Sequence, residues 1–327
     1  MRPPGFWQLD KPTLAAHALS PLGKLFSTAT AKRVAKPARY TPAIPVICIG
    51  NVLAGGTGKT PATLHIAQAL KARGFNPHIL SRGYGGSDKG PTLVDPLRHR
   101  AQQVGDEPLM LAAFMPVTIA RDRALGAKAI CDEGKADVII MDDGFQNPDL
   151  PKAASLLVFD GGAGIGNGRC MPAGPLREPL ATGMARADAA LIIGTDQTDL
   201  ASALTLPTFH GALTPGPETM WLKGQRVTAF AGIGRPQKFF DTVEALGAQL
   251  CGTFPFPDHH PYKAQDLLLI DRHCAKTGSI AVTTEKDAVR LPVSRRGRVS
   301  IVRVDLTVED SDALIDLIMS KTGFVNE

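Results

Sequence analysis

The 327-residue sequence predicts an α/β fold in which a mainly parallel sheet carries helices on both faces. Its strand-like segments are short and continuously apolar, and helical patterns separate them along the chain. A sheet whose two faces are both covered requires strands of this kind, because neither face meets water. We expect an N-terminal amphipathic helix before this sheet and a smaller C-terminal α/β domain after it.

The composition is that of an ordinary globular protein. Hydrophobic residues make up 44% of the chain and charged residues 20%, and the length allows two domains. The net charge of +5 hints at an anionic partner such as phosphate, nucleic acid or an acidic membrane surface. Five scattered cysteines without C-x-x-C spacing predict free thiols. No apolar run approaches the length of a membrane-spanning helix.

The N-terminal segment, residues 1–40, predicts an amphipathic helix followed by basic residues. Such a helix either packs on the protein's own core or lies in a membrane interface, with its cations near anionic head groups. The residues alone leave both open. The apolar residues at helical spacing are Leu14, Ala15, Ala18, Leu19, Leu22, Leu25 and Phe26, and the basic residues are Lys24, Lys32, Arg33, Lys36 and Arg39.

Beyond residue 40, two series of strand and helix patterns follow. A Pro-, Gly- and Thr-rich segment near residues 205–224 separates them, and we interpret it as a linker. The predicted domains are therefore residues 41–215 and 216–327. Predicted strands of the first series include IPVICIG, NPHILSRG, MPVTIA, ADVIIMDDG, ASLLVFDGG and ADAALIIG, and those of the second are RVTAFAGIG, SIAVTTEKD and VSIVRVDL.

The stretch NVLAGGTGKTP, residues 51–61, predicts a phosphate-binding loop, and with it a fold of the P-loop NTPase type. It lies between an apolar strand and a helix, where backbone N–H groups and the helix N-terminus bind phosphate. Lys59 can reach the β- and γ-phosphates, and Thr60 can offer its hydroxyl to Mg²⁺. The predicted nucleotide-binding residues of the loop are Leu53, Ala54, Gly55, Gly56, Thr57, Gly58, Lys59 and Thr60.

This loop departs from the usual G-x-x-x-x-G-K-[ST] pattern, since Leu53 stands at the first glycine position. Its core resembles the K-G-G-x-G-K-[ST] variant of partition, nitrogenase-reductase and signal-recognition type ATPases and GTPases. Ala54 replaces a lysine that several of those proteins use across a dimer. We therefore interpret Leu53 as a marker of loop type, and the missing lysine argues against a dimerising switch.

A later apolar strand, VIIMDDG, ends in Asp142 and Asp143. A carboxylate at the carboxyl end of a strand beside a phosphate loop can hold Mg²⁺ directly or through water. The alternative is a surface turn. The sequence predicts that at least one of the two aspartates lies at a metal site.

Several other polar residues follow predicted strands or open predicted helices, where ligands bind in open α/β sheets. Asp106 and Glu107 of VGDEP begin a helix, which either could also cap. Arg121 of RDR follows a strand and could clamp phosphates. Taken singly, each has a structural explanation as well. Arg123, Arg177, Glu178, His259, His260 and the TTEKD segment occupy comparable positions.

In order along the chain, eight motifs resemble the tetraacyldisaccharide 4′-kinase family, the lipid A 4′-kinases of Gram-negative bacteria. The resemblance extends from about residue 44 to residue 291. One departure is Asn147, where the family often has histidine. The motifs are IGNVLAGGTGKTP, SRGYGG, GDEP, DDGFQ, GNGRCMPAGPLREP, AGIGRPQKFF, FPDHH and TEKDAVRL.

The resemblance implies an ATP- and Mg²⁺-dependent kinase that phosphorylates the 4′-hydroxyl of a disaccharide 1-phosphate bearing four acyl chains. Asp106 would accept the hydroxyl proton, and His259 of the second domain would orient and tune it. Closure of the cleft would assemble this pair. Implied catalytic residues are Asp106, His259, Lys59 and Arg121; Thr60, Glu107, Asp142 and Asp143 would lie at Mg²⁺, and Arg177 would join the nucleotide-binding residues.

The resemblance also implies peripheral attachment to the cytoplasmic face of the inner membrane through the N-terminal segment. We expect a monomer that binds a lipid substrate and no nucleic acid. A nucleotide-switch NTPase is the competing hypothesis, although TEKD lacks the asparagine of the N-K-x-D base-recognition motif. A non-catalytic membrane-surface module is a third hypothesis.

Overall fold

The computed structural model describes residues 4–9 and 11–324, and its thirteen strands form two sheets. The strands are β1 (Val46–Gly50), β2 (Pro77–Ser81), β3 (Thr92–Leu93), β4 (Val117–Ile119), β5 (Val138–Asp142), β6 (Ala154–Asp160), β7 (Ala189–Ile193), β8 (Thr208–Pro215), β9 (Arg226–Ala231), β10 (Gln249–Pro255), β11 (Ile280–Thr284), β12 (Ser300–Val302) and β13 (Val304–Val308).

Helices connect most of these strands. They are α1 (Leu14–Val34), α2 (Lys59–Ala72), α3 (Ala101–Val104), α4 (Asp106–Leu111), α5 (Arg123–Glu133), α6 (Leu180–Met184), α7 (Leu200–Ala203), α8 (Pro236–Ala245), α9 (Ala264–Thr277), α10 (Glu285–Ala288), α11 (Val293–Arg296) and α12 (Ser311–Thr322). Two short 3₁₀ helices span Gly5–Gln8 and Pro217–Leu222.

The first sheet has nine strands in the order β13-β8-β7-β6-β1-β5-β2-β4-β3. Its strands are parallel except at the two ends, where β13 and β3 run antiparallel to their neighbours. Central strands contribute to cores on both faces: Ile47 and Ile49 of β1 pack into one, and Val46 and Cys48 into the other. The predicted α/β sheet with helices on both faces is confirmed.

Strand order brings the predicted phosphate loop and the predicted metal site together. β1 pairs in parallel with β5, and Ile49 lies opposite Asp142. The carboxyl ends of neighbouring parallel strands meet at one edge of a sheet. The loop that follows β1 and the aspartates that end β5 are therefore adjacent.

The second sheet has four parallel strands in the order β10-β9-β11-β12. Helices α8 and α9 contribute to its two cores; Phe240 and Val243 belong to one, and Leu267 and Ile270 to the other. We call residues 226–302, which contain this sheet, the second unit, and the remaining described residues, which contain the nine-stranded sheet, the first unit. It lies between β8 and β13 in the sequence, both of which belong to the first sheet.

Two expectations about the organisation of the chain differ from the structure. Residues 208–215, inside the predicted linker, form β8 of the first sheet. The last strand and helix, which the sequence analysis assigned to the 216–327 domain, return to that sheet as β13 and α12. The reason lies in the pattern of β13: Leu306 and Val308 are buried whereas Asp305 and Thr307 are exposed, the alternation of a strand with one solvated face.

The predicted N-terminal helix is α1, and it packs on the protein through small residues. Ala16, Gly23 and Thr30 are its buried residues, seven positions apart. A Cβ atom at Gly23 would lie 2.8 Å from the backbone oxygen of Cys170, so the helix and that loop are in close contact. In the described ranges, no helix is both long and apolar enough to cross a bilayer.

Candidate active site

The loop between β1 and α2 has the backbone of a phosphate-binding loop. Gly55 and Gly58 take positive φ angles of 122° and 90°, a conformation that favours glycine. A Cβ atom at Gly58 would also lie 2.6 Å from Cδ1 of Ile193. Gly55 and Gly56 face open space. The loop can therefore approach a ligand closely, at the positive end of α2.

The structure explains why leucine occupies position 53. Leu53 is 6% exposed and forms an antiparallel bridge with Leu176. On either side of it, the Ala54 N–H donates to the Pro175 oxygen at 2.8 Å and the Arg177 N–H donates to the Val52 oxygen at 2.7 Å. The side chain of Leu53 thus packs inside the protein, and the Ala54 N–H is bonded within the chain.

Asn51, which the sequence analysis did not single out, ties the loop to its surroundings. Its Nδ2 donates to Oγ1 of Thr57 at 3.0 Å, and both residues are buried. Its backbone oxygen accepts a bond from Nε2 of Gln146 at 2.8 Å, and Gln146 also bonds Glu178. The loop, DDGFQ and PLREP therefore form one hydrogen-bonded structure.

The two aspartates after β5 have different environments. Asp142 is buried and accepts bonds from the hydroxyls of Thr63 and Ser81 at 3.2 and 3.3 Å. Burial, together with the negative charges of Glu107 and Asp143, raises the pKa of Asp142 to about 7. Burial would raise the pKa of Asp143 as well, but the nearby cations lower it below its usual value.

The cations beside Asp143 are two of the residues predicted to bind the nucleotide. Nζ of Lys59 lies 3.7 Å from its carboxylate, and Nη1 of Arg177 lies 2.9 Å from it. The structure therefore places both cations next to the phosphate loop. A phosphate bound there would meet positive charge from two sides.

The oxygen groups at this edge suit magnesium. Thr60 lies in the first turn of α2. Asp142, Asp143 and Glu107 supply carboxylates, and the negative charges of Asp143 and Glu107 raise the pKa of Asp142. Hydroxyl and carboxylate oxygens are the donors that Mg²⁺ prefers. Glu107 is also bonded to Lys286 at 3.0 Å. The donor types therefore suit the predicted metal, which would neutralise their excess negative charge. Within the described residues, however, no three carboxylate, histidine or cysteine side chains are gathered closely enough to hold a metal ion.

Asp106 is held by side chains of the second unit. Gly105 is the N-cap of α4, and Asp106 is its first residue, with 6% exposure. Oδ2 of Asp106 is 2.8 Å from Nδ1 of His259 and accepts a bond from Nε of Arg290 at 2.8 Å. The Asp106–His259 pair implied by the resemblance is therefore formed.

The pKa of Asp106 shifts in the direction opposite to the one that a stronger base would need. We expected His259 to tune a carboxylate whose pKa is ordinarily too low for a base. Burial does act to raise the pKa of Asp106, but the His259 hydrogen bond and the charges of Arg290 and Lys286 outweigh it. Together they hold the pKa well below its usual range, so Asp106 is a firmly ionised carboxylate.

The two arginines of RDR, which the sequence predicts could both clamp phosphates, have different surroundings. The side chain of Arg121 donates to the Gly86 oxygen at 3.0 Å and so holds the SRGYGG loop. Arg123 is 3% exposed, and its pKa is lowered to about 10 by burial although Asp142 and Asp143 act to raise it. Arg123 is therefore the arginine near the metal-site aspartates. In the sequence, the only indication that Arg123 lies near the aspartates was its place in RDR, two residues after Arg121.

Three comparisons with known proteins agree. A family model described as Tetraacyldisaccharide-1-P 4′-kinase matches residues 15–322. Curated proteins named tetraacyldisaccharide 4′-kinase from Dinoroseobacter shibae and Rhodospirillum centenum are 52% and 48% identical, each over 96% of this chain and over 96% and 95% of their own lengths. A crystal structure of LpxK from Aquifex aeolicus in complex with ATP has a TM-score of 0.76 at 25% identity, covering 94% of this chain and 100% of that chain.

Replacing Leu53 by glycine, which would restore the usual loop pattern, is expected to harm the site. Leu53→Gly removes a buried side chain and adds backbone freedom, a cost of about 2–5 kcal/mol in unfolding free energy. Urea unfolding and ATP titration should show lower stability and no gain in affinity. Leu97→Gly, at a site 94% exposed, is the control. Tighter ATP binding with unchanged stability would contradict this explanation of Leu53.

Asp142 should give the free protein a specific pH dependence. Its pKa is about 7 in the folded state and near 4 when unfolded, so the folded state holds an extra proton between these values. Raising the pH through this window lowers the unfolding free energy by about 1.4 kcal/mol per unit, and Asp142→Asn lacks this loss. Urea unfolding at pH 5 and pH 7 without metal measures both proteins. An equal pH dependence of the unfolding free energy in the wild type and in Asp142→Asn would refute the role of Asp142.

Proposed function

Because the chain belongs to the tetraacyldisaccharide-1-P 4′-kinase family, we propose that it transfers the γ-phosphoryl group of ATP to the 4′-hydroxyl of a tetraacyldisaccharide 1-phosphate in lipid A biosynthesis. One observation supports the assignment of roles: Gly105, next to Asp106, packs against the Tyr84 backbone just beyond the carboxyl end of β2, which is the parallel neighbour of β5, so the Asp106–His259 pair lies at the same edge of the sheet as the phosphate loop. A site that only binds or hydrolyses a nucleotide needs no such pair for an acceptor hydroxyl.

We assign the nucleotide to the loop of residues 53–60. The Aquifex aeolicus LpxK structure contains ATP, which supports the same nucleotide here. Lys59 and Arg177 would bind its phosphates, and contact with them would draw both cations from Asp143. Mg²⁺, held by Thr60 and the carboxylates of Asp142, Asp143 and Glu107, would supply neutralisation of phosphate charge. Arg123 adds a buried positive charge behind these carboxylates.

In the proposed reaction, the acceptor hydroxyl attacks the γ-phosphorus in line with the bond to the leaving ADP oxygen. A new O–P bond forms as the bond to ADP breaks, and the hydroxyl proton passes to the hydrogen-bonded Asp106–His259 pair. The side chain of His259 is 38% exposed and that of Asp106 only 8%. His259 is thus the member open to the cleft, while Asp106 fixes the ring through Nδ1 and stabilises the positive charge that the ring gains.

Transfer of ³²P from [γ-³²P]ATP to a tetraacyldisaccharide 1-phosphate tests this proposal. Asp106→Asn should lower kcat by about 10²–10⁴, because the side chain that fixes His259 no longer carries the negative charge that stabilises the protonated ring, while ATP binding stays within about threefold. Asp312→Asn, in the exposed first turn of α12, is the control. Near-full turnover by Asp106→Asn would disprove the assignment, and hydrolysis without transfer by the wild type would favour a nucleotide switch.

We further propose that α1 attaches the protein peripherally to the cytoplasmic face of the inner membrane. Leu14, Leu22 and Leu25 are 89%, 53% and 67% exposed, on the side of the helix away from the docked residues. Lys32 and Arg33 occupy its last turn. An apolar stripe that ends in cations suits an interface with anionic lipids, and an acylated substrate would be reached there.

Flotation with vesicles of phosphatidylethanolamine and phosphatidylglycerol tests the attachment. Leu22→Asp/Leu25→Asp should reduce the bound fraction at least tenfold, since each leucine contributes roughly 1.5–3 kcal/mol when buried in lipid. Leu93→Asp/Leu97→Asp changes two exposed leucines elsewhere and should float like the wild type. Equal flotation of all three proteins would exclude α1 as the membrane contact.

A further inference from the structure

Arg290 is a buried arginine of the second unit for which the reaction above has no role. It is 7% exposed and lies at the end of TEKDAVRL, two residues beyond α10. Its guanidinium spans two units: Nε donates to Asp106 at 2.8 Å, while Nη1 donates to the Gly232 oxygen at 2.7 Å and to Asp287 at 2.9 Å. An arginine in such a fork has a fixed direction.

The support behind Arg290 is itself well bonded. Asp287 is fully buried, and it accepts bonds from the Gly232 N–H at 2.9 Å, the Tyr262 hydroxyl at 2.7 Å and the Thr284 hydroxyl at 2.6 Å. These partners come from different segments around the second sheet. The orientation of the guanidinium is therefore set within the second unit, independently of Asp106.

The same support also carries His259. Its backbone N–H donates to the Gly232 oxygen at 3.1 Å, the oxygen to which Arg290 donates. Both groups then meet at Oδ2 of Asp106. The turn at Gly232 thus fixes His259 and Arg290 relative to each other, and the pair receives Asp106 from the first unit as one preformed site.

We propose that Arg290 is a positioning residue for phosphoryl transfer, which holds the Asp106 carboxylate in the orientation that bonds His259. The inference rests on the proposed role of the Asp106–His259 pair. A salt bridge with only a structural role would change the stability of the protein and leave kcat intact. A misplaced catalytic group instead lowers kcat, because transfer depends on alignment in the transition state.

Steady-state kinetics of the full chain with ATP and a tetraacyldisaccharide 1-phosphate separate these roles. Arg290→Met should lower kcat about 100-fold and Arg290→Lys about 10-fold, with KM for ATP within about threefold. Arg296→Met is the matched control, since Arg296 is a half-buried arginine that donates to the Leu291 and Val289 oxygens and, among the described residues, forms no ion pair. Its kcat should stay within about twofold even if its Tm falls. If Arg290→Met does not fold, the kcat of Arg290→Lys decides between a positioning and a structural role, because this variant keeps a cation beside Asp287.

A double-mutant cycle completes the test. If Arg290 acts through Asp106, then Asp106→Asn/Arg290→Met should have the kcat of Asp106→Asn to within about twofold. An undiminished kcat in both Arg290 variants, or a full additional loss in the double variant, would overturn the inference. A lower kcat in Asp106→Asn together with an unchanged kcat in the Arg290 variants would reject only the role of Arg290, and not the proposed function. Normal kcat in Asp106→Asn would instead reject the proposed function.

Discussion

A carboxylate leaves water at a cost of several kcal/mol unless cations and hydrogen bonds replace its solvation, and this constraint governs the place where the two units meet. The side chains that meet it at Asp106 come from the second unit, His259 and Arg290, and the Glu107 N–H adds a bond from the next residue of the chain. Further ion pairs cross in the same sense: Glu107 pairs with Lys286, and Asp160 pairs with both Arg235 and Lys238. In these pairs the first unit supplies the carboxylates and the second unit the cations, whereas Arg303 and Glu285 pair in the opposite sense. Orientation of the second unit is therefore set by charge at the edge where the nucleotide would lie.

Much of the first unit could be predicted because its signals are local. The apolar run of β1, the glycines after it and the Asp142–Asp143 pair each lie within about ten residues of chain. Strand β8 was missed because Pro, Gly and Thr around it are typical of a linker. Arg290 could not be found from the sequence, since its meaning depends on a bond to a residue 184 positions away. The lowered pKa of Asp106 could not be predicted for the same reason, since the groups that lower it are distant in the sequence.

The dimerising nucleotide switch, suggested by the variant phosphate loop, finds little support in the surroundings of that loop. Residues 52–54 are paired with residues 175–177 of the same chain. The segment leading to 175–177 in turn contacts the N-terminal part of the protein, where Nε1 of Trp7 donates to the Pro172 oxygen and Arg169 donates to Ser20. Ala54 occupies the position at which several other proteins carry a lysine that acts across a dimer. Here this position belongs to a series of contacts that connects the phosphate loop to α1. This arrangement fits an enzyme whose acceptor is a lipid.

The return of the chain to the first sheet has a consequence for how the protein is made. Val304 of β13 lies opposite Pro215 of β8. The chain therefore leaves the first sheet after β8, forms the second unit, and returns to the first sheet in β13, the strand next to β8. Leu314, Ile315 and Ile318 of α12 belong to the core beneath β1 and α2. During synthesis, the first unit therefore exposes part of its apolar core until α12 has left the ribosome. Its contacts are non-local, and such contacts form slowly. The phosphate loop consequently sits on a core to which α12, far along the sequence, contributes.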